Sequence, residues 1–213
     1  MSDLPRHLIG LLLVAAGSTL ACNRNDAPAP PPATTQSPAD APATERVVGP
    51  LSEADAAALA TMNERVSRYI ELHTTIESRL PKLPQDATPL QIDTNQRAFE
   101  QRIRDARKNA KPGDLFTPES QVVIKRLLAT VFGGPDGQQL KASIMDEYSG
   151  SVKLAVNTRY PDSVPISTMP PQVLQTLPKL SEDLEYRFIG DNLIIFDVHA
   201  HVVADFIENA MPK

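Results

Sequence analysis

The chain has 213 residues and a formal net charge of −5, a balance that lacks the basic footprint of a nucleic-acid binder. Trp is absent and aromatics make up 5%, which argues against an aromatic platform for sugars or bases. There is one cysteine, so no intramolecular disulfide can form, and Cys22 needs another explanation.

That explanation begins at the N-terminus. Arg6 precedes the apolar run Leu8-Ile9-Gly10-Leu11-Leu12-Leu13-Val14-Ala15-Ala16, and small residues lead to Ala21-Cys22. A charged start, an apolar centre too short to span a bilayer and a small-residue exit mark a secretory signal over residues 1–21. The stretch Ser18-Thr19-Leu20-Ala21-Cys22 resembles the lipobox of bacterial lipoprotein precursors. The resemblance implies cleavage before Cys22 and acylation of its thiol, giving a stable membrane anchor of at least two chains. Asn23 follows the anchor, where the resemblance to inner-membrane retention signals would require Asp. The expected location is therefore the cell envelope, on the periplasmic face of the outer membrane if the source has two membranes.

Residues 22–50 carry the lipidated Cys and a Pro/Ala-rich tether, AsnArgAsnAsp followed by seven prolines among small and polar residues. Such a composition buries too little apolar surface to offset its ordering entropy. Its reach is roughly 30 Å as a flexible coil and at most about 87 Å as polyproline II. A single globular domain is expected over 51–213, large enough to hold its own core.

The domain reads as α+β: an N-terminal layer of three to four helices, then a small antiparallel sheet and a C-terminal helix. Ser52 and Asp55 have the spacing of a capping box. Leu59, Met62, Val66, Tyr69, His73, Ile76 and Leu80 then recur at steps of three and four, one face of a helix that Pro81 stops. The stripe serves either packing within the chain or a coiled-coil dimer, so a monomer or weak dimer is expected. A lone histidine within it, His73, reads as a packed, hydrogen-bonded core residue. A second helix is expected over about 90–110, capped by Asp93 or Thr94. Its late cations Arg102, Arg104, Arg107, Lys108 and Lys111 read as a solvated face matched to the helix dipole. Thr117-Pro118-Glu119 opens a third helix that Gly133-Gly134 closes, and a shorter fourth holds Leu140, Ile144 and Tyr148.

The period changes to two at Val152, Leu154, Val156, Thr158 and Tyr160, which predicts a half-buried strand. Leu184, Tyr186 and Phe188 alternate as well, and Gly190-Asp191-Asn192 turns the chain into Leu193-Ile194-Ile195-Phe196, a hairpin. One helical turn is expected near 171–177. From Val198 through Val202, Val203, Phe206, Ile207 and Ala210 the spacing reads as helical, with Asp197 as its cap.

The chemistry is thin. His199-Ala200-His201 resembles the first metal ligands of amidohydrolase barrels, but that barrel needs roughly 250 residues. On a helix, moreover, positions i and i+2 do not share a face. His199 then reads as a partly buried helix residue and His201 as a surface one. There is no nucleophile elbow, no His-Glu-x-x-His and no phosphate-binding loop, and the acid pairs Asp146-Glu147 and Glu182-Asp183 are loose. The segments Tyr160-Pro161, Thr168-Met169-Pro170-Pro171, Leu184–Phe188 and Asp205-Phe206-Ile207 resemble those of a family of uncharacterised exported bacterial proteins; the resemblance implies a domain extent and no activity.

Sequence reading thus assigns no catalytic residue, no metal ligand and no cofactor. Cys22 is the only assigned site, and the balance points away from an enzyme. It favours a membrane-anchored, non-catalytic binding or scaffolding module with an envelope-protein or cell-wall partner. The alternative is a small envelope hydrolase using His199, His201 or His73. Replacing Cys22 with Ala is expected to abolish palmitate labelling and membrane retention while leaving the domain's melting unchanged. A Cys22→Ala chain that is still labelled and membrane-bound would contradict the anchor.

Overall fold

The structure is a computed structural model that describes residues 50–147 and 152–213. The signal segment 1–21, Cys22, the tether through residue 49 and Tyr148 lie outside the described residues.

Helix α1 spans Glu53–Glu77. Ser52 caps it, its hydroxyl accepting from the Asp55 N–H at 3.1 Å, and Glu53 and Asp55 complement the dipole in the first turn. The whole expected stripe, Leu59 to Leu80 with His73 inside it, is buried. Helix α2 spans Pro89–Ala106, starting where the sequence suggests and ending short of the expected 110. Its cap is Thr88, in a reciprocal capping box with Gln91, and not Asp93 or Thr94. The first-turn residues Leu90 and Ile92 face solvent. Asp93 instead pairs with Arg97 one turn on.

Helix α3 spans Pro118–Phe132, capped by Thr117, and packs on α1. Helix α4, Gly137–Asp146, lies so close to the end of α3 that a Cβ on Gly137 would come within 1.8 Å of the Phe132 carbonyl oxygen. The single expected turn is α5, Pro171–Thr176, seated on α3.

The sheet is a three-stranded antiparallel meander in the order β1, β2, β3, with β1 at Leu184–Ile189, β2 at Asn192–Asp197 and β3 at Val202–Ile207. The hairpin is as expected, but the C-terminal helix is not: residues 202–207 form β3. Two features produced the helical reading. All six residues of β3 are buried, so no polar alternation marks the strand. In addition, the Asp197 side chain accepts from the Ala200 N–H three residues on, the bond of a helix cap, here closing a four-residue turn.

The burial of β2 and β3 on both faces follows from two coverings. One face, with Tyr186, Phe188, Leu193, Ile195 and Ala204, joins the helical core. The other, with Ile194, Phe196, Val203 and Phe206, is covered by Tyr160 and by Val152, Leu154, Val156 and Val164. This covering segment is the second correction. The alternating residues from 152 to 160 do face a hydrophobic layer, but the segment is irregular and meets β3 through an isolated Arg159–Val202 bridge and not as a further strand. Asn157, at φ 61°, breaks the extended course while its N–H donates to the Val203 carbonyl and its amide bonds Arg107 in both directions.

A register shift between Ile195 and Phe196 leaves Asp205 of β3 fully buried. Its carboxylate accepts four backbone N–H groups: Gly113 at 3.1 Å, Leu115 at 2.7 Å, Phe116 at 2.8 Å and Phe206 at 2.9 Å. These bonds fasten the α2–α3 loop to the sheet. Asp205→Ala strands those donors in a dry interior and is expected to cost about 3 kcal/mol or more in a urea unfolding experiment. Asp205→Asn, which keeps an acceptor oxygen, is expected to cost less; an Ala variant within about 1 kcal/mol of the parent would contradict this role.

Candidate metal centre

His73 and Glu77 are one turn apart on α1 and share a face. His73 is fully buried, edge-on to Phe99 at a ring separation of 4.8 Å. Its Nδ1 lies 2.8 Å from Asp197 Oδ2, at the end of β2. The same Oδ2 accepts from the Tyr69 hydroxyl at 2.6 Å, and Oδ1 accepts from the Ala200 N–H at 2.8 Å. Asp197 itself is fully buried. With Nδ1–H donated to Asp197, the other ring nitrogen of a neutral His73 carries a lone pair. That atom, Nε2, is buried and has no hydrogen-bond partner among the described residues.

Nε2 faces a set of ligating groups. Glu77 Oε2 is 3.7 Å away and Asp183 Oδ1 3.8 Å. His199, in the β2–β3 turn, brings Nδ1 to 3.0 Å from Glu77 Oε1 and 3.8 Å from Asp183 Oδ1. Asp183 is placed by its carbonyl, which accepts from the Val198 N–H at 3.0 Å and so extends the β1–β2 pairing to the edge of the turn. Ligand atoms of His73, Glu77 and His199 lie within 4.8 Å of one another. In a tetrahedral zinc site with bonds near 2.0–2.2 Å, ligand atoms sit about 3.3 Å apart, so modest side-chain closure suffices. The exposed side of the cluster can provide it: His199 and Glu77 retain 49% and 44% of their side-chain exposure.

Charge favours a cation. Burial alone would push the His73 imidazole down, but the hydrogen bond to Asp197 and the charges of Asp197, Asp183 and Glu77 outweigh it and hold the group above its ordinary value. Burial, then the Asp197 charge and hydrogen bond, push the Tyr69 phenol well up, so it stays a donor.

This cluster corrects the expectation that an enzyme is the less favoured reading: a buried imidazole oriented by Asp197 faces a second histidine and two carboxylates, an arrangement suited to metal binding or catalysis. The histidine pair of the sequence does not act together. His199 is exposed in a turn, neither buried nor helical, and joins His73 and Glu77. His201, at φ 57°, points the other way, packing on Phe196 and Tyr160 with Nε2 3.6 Å from Asp162; burial, then the Arg159 charge, push it down. Glu77 went unnoticed in the sequence because it stands one step off the apolar stripe. The His73-x-x-x-Glu77 spacing was its only local signal. Asp183, half of a loose acid pair in the sequence, is brought in by the sheet.

No protein-family model matches this chain, and neither does any curated protein or solved structure. The chemistry is therefore read from the geometry.

In chelated protein, NMR is expected to show His73 titrating above about 6.5 and His201 below it. Because the folded value of His73 exceeds the unfolded one, its contribution to stability is full below about pH 6.5. It is lost as pH rises through the folded value. A His73 midpoint at or below 6.5 would contradict the arrangement.

Proposed function

We propose that the protein is a metal-dependent hydrolase of the bacterial cell envelope, held on its membrane through Cys22. The observation that carries this reading is the buried, unpartnered Nε2 of His73, aimed at Glu77 with His199 beside it. Two imidazoles and one carboxylate are the donor set of catalytic zinc sites; structural sites are closed by four protein ligands. The Asp197–His73 hydrogen bond is the carboxylate support that fixes ring and tautomer in such sites.

A divalent cation held by His73, Glu77 and His199 would supply a Lewis acid for a carbonyl or phosphoryl oxygen and an activated water. The chain's own residues supply the rest. Asp197 and Tyr69 hold His73 in one orientation. Asp183, 3.8 Å from both imidazole nitrogens, is placed to accept a proton from water entering over the exposed edge formed by Glu77 and His199.

Elemental analysis of the full chain is expected to find one equivalent of zinc, and calorimetry one site. Glu77→Gln and His199→Ala should weaken zinc at least about 100-fold, and Asp197→Asn about 10–100-fold through the lost support of His73. Hydrolysis of a panel of peptide, ester and phosphoester substrates should disappear with chelator and return with zinc. Absence of stoichiometric metal together with chelator-insensitive hydrolysis, or none, would refute the proposal.

A further inference from the structure

Three arginines gather around an open cleft of about 320 Å³, one and two turns before His73 on α1 and at the end of α2. Arg65 points its Nη1 at the carbonyls of Gly113 (3.4 Å) and Asp114 (3.0 Å). Arg107, the C-cap of α2, donates from Nη1 to Asn157 Oδ1 at 2.7 Å and to the Ala204 carbonyl at 3.0 Å, and lies 4.8 Å above the Tyr69 ring. Arg68 is exposed. None of the three forms an ion pair among the described residues, and neither do Arg79 and Arg102, while Arg97, Arg104, Arg126, Arg159 and Arg187 each meet a carboxylate.

Two of the guanidiniums are held through Nη1 by neutral oxygens, and the charges of Asp205, Asp114 and Asp197 reach Arg107 without a direct ion pair. The one acid at the cleft, Asp114, has its Oδ2 turned to the Lys111 N–H. Like charges held around a concavity raise each other's energy unless an anion enters. The expected solvated face of α2 is thus corrected at Arg107, which is half-buried.

We propose that this cleft binds the phosphate group of a small phosphate monoester. One guanidinium fork satisfies a planar carboxylate, whereas three around one cleft match the several oxygens and double charge of a phosphate dianion. Leu72 and Leu115 on the cleft wall offer apolar surface to the ester's carbon portion. None of the cleft residues is a ligand of the metal centre, so the site stands whether or not metal binds.

The test titrates inorganic phosphate, and separately acetate, into the full chain by calorimetry at low salt with chelator present. Phosphate is expected to bind saturably and acetate not. Arg68→Ala, at an exposed position, and Arg65→Ala should each weaken phosphate at least about 10-fold. Arg68→Ala should leave the melting temperature unchanged, and Glu77→Gln should retain phosphate binding. Absence of saturable phosphate binding, equal binding of acetate, or an Arg68→Ala chain that binds like the parent would overturn the proposal. So would Arg68-dependent sedimentation of the Cys22→Ala chain with phosphatidylglycerol vesicles but no binding of free phosphate, since the ligand would then be a membrane surface.

Discussion

The buried carboxylate of Asp197 ties the helical layer to the sheet at the place where the candidate site forms. It takes its two oxygens out of water completely, a cost that only good partners offset. Three donors supply them: Tyr69 and His73 from α1, and the Ala200 N–H from the turn that follows β2. Each bond has a structural consequence. The first two dock α1 against the end of the sheet. The third folds the turn that carries His199 back over Glu77. The bond to His73 also leaves Nε2 idle and aimed outward. Without Asp197, His73 would be an ordinary core residue and His199 a loop residue.

The same logic separates the arginine cleft from the candidate metal centre. Tyr69 lines the cleft and donates its hydroxyl to Asp197, so it stands between the two. Asp205 plays for the α2–α3 loop the part that Asp197 plays for α1, holding in place the segment whose carbonyls orient Arg65. Buried carboxylates of β2 and β3 thus hold α1 and the α2–α3 loop against the sheet.

Much of the scaffold was legible in the sequence because it follows local period. The stripe of α1, the Ser52 and Thr117 caps and the β1–β2 hairpin each announce themselves within one continuous stretch of chain. The failures have equally physical causes. Strand β3 is buried on both faces and shows no alternation, and Asp197 makes the bond of a helix cap within a turn. Residues 152–160 alternate because they cover a sheet, although they do not join it as a strand. The site was the least legible part. His73 and Asp197 are 124 positions apart, and Glu77 and His199 are 122 apart, so no local motif holds them. His73 was hidden because it satisfies the core pattern while serving the site.

If His73, Glu77 and His199 share one cation, X-ray absorption spectroscopy of the zinc-loaded full chain will show a first shell of two imidazole nitrogens and carboxylate or water oxygens at about 2.0–2.2 Å, with outer-shell imidazole scattering that drops to one ring in His199→Ala. A shell of oxygens alone, or one that His199→Ala leaves unchanged, would contradict it.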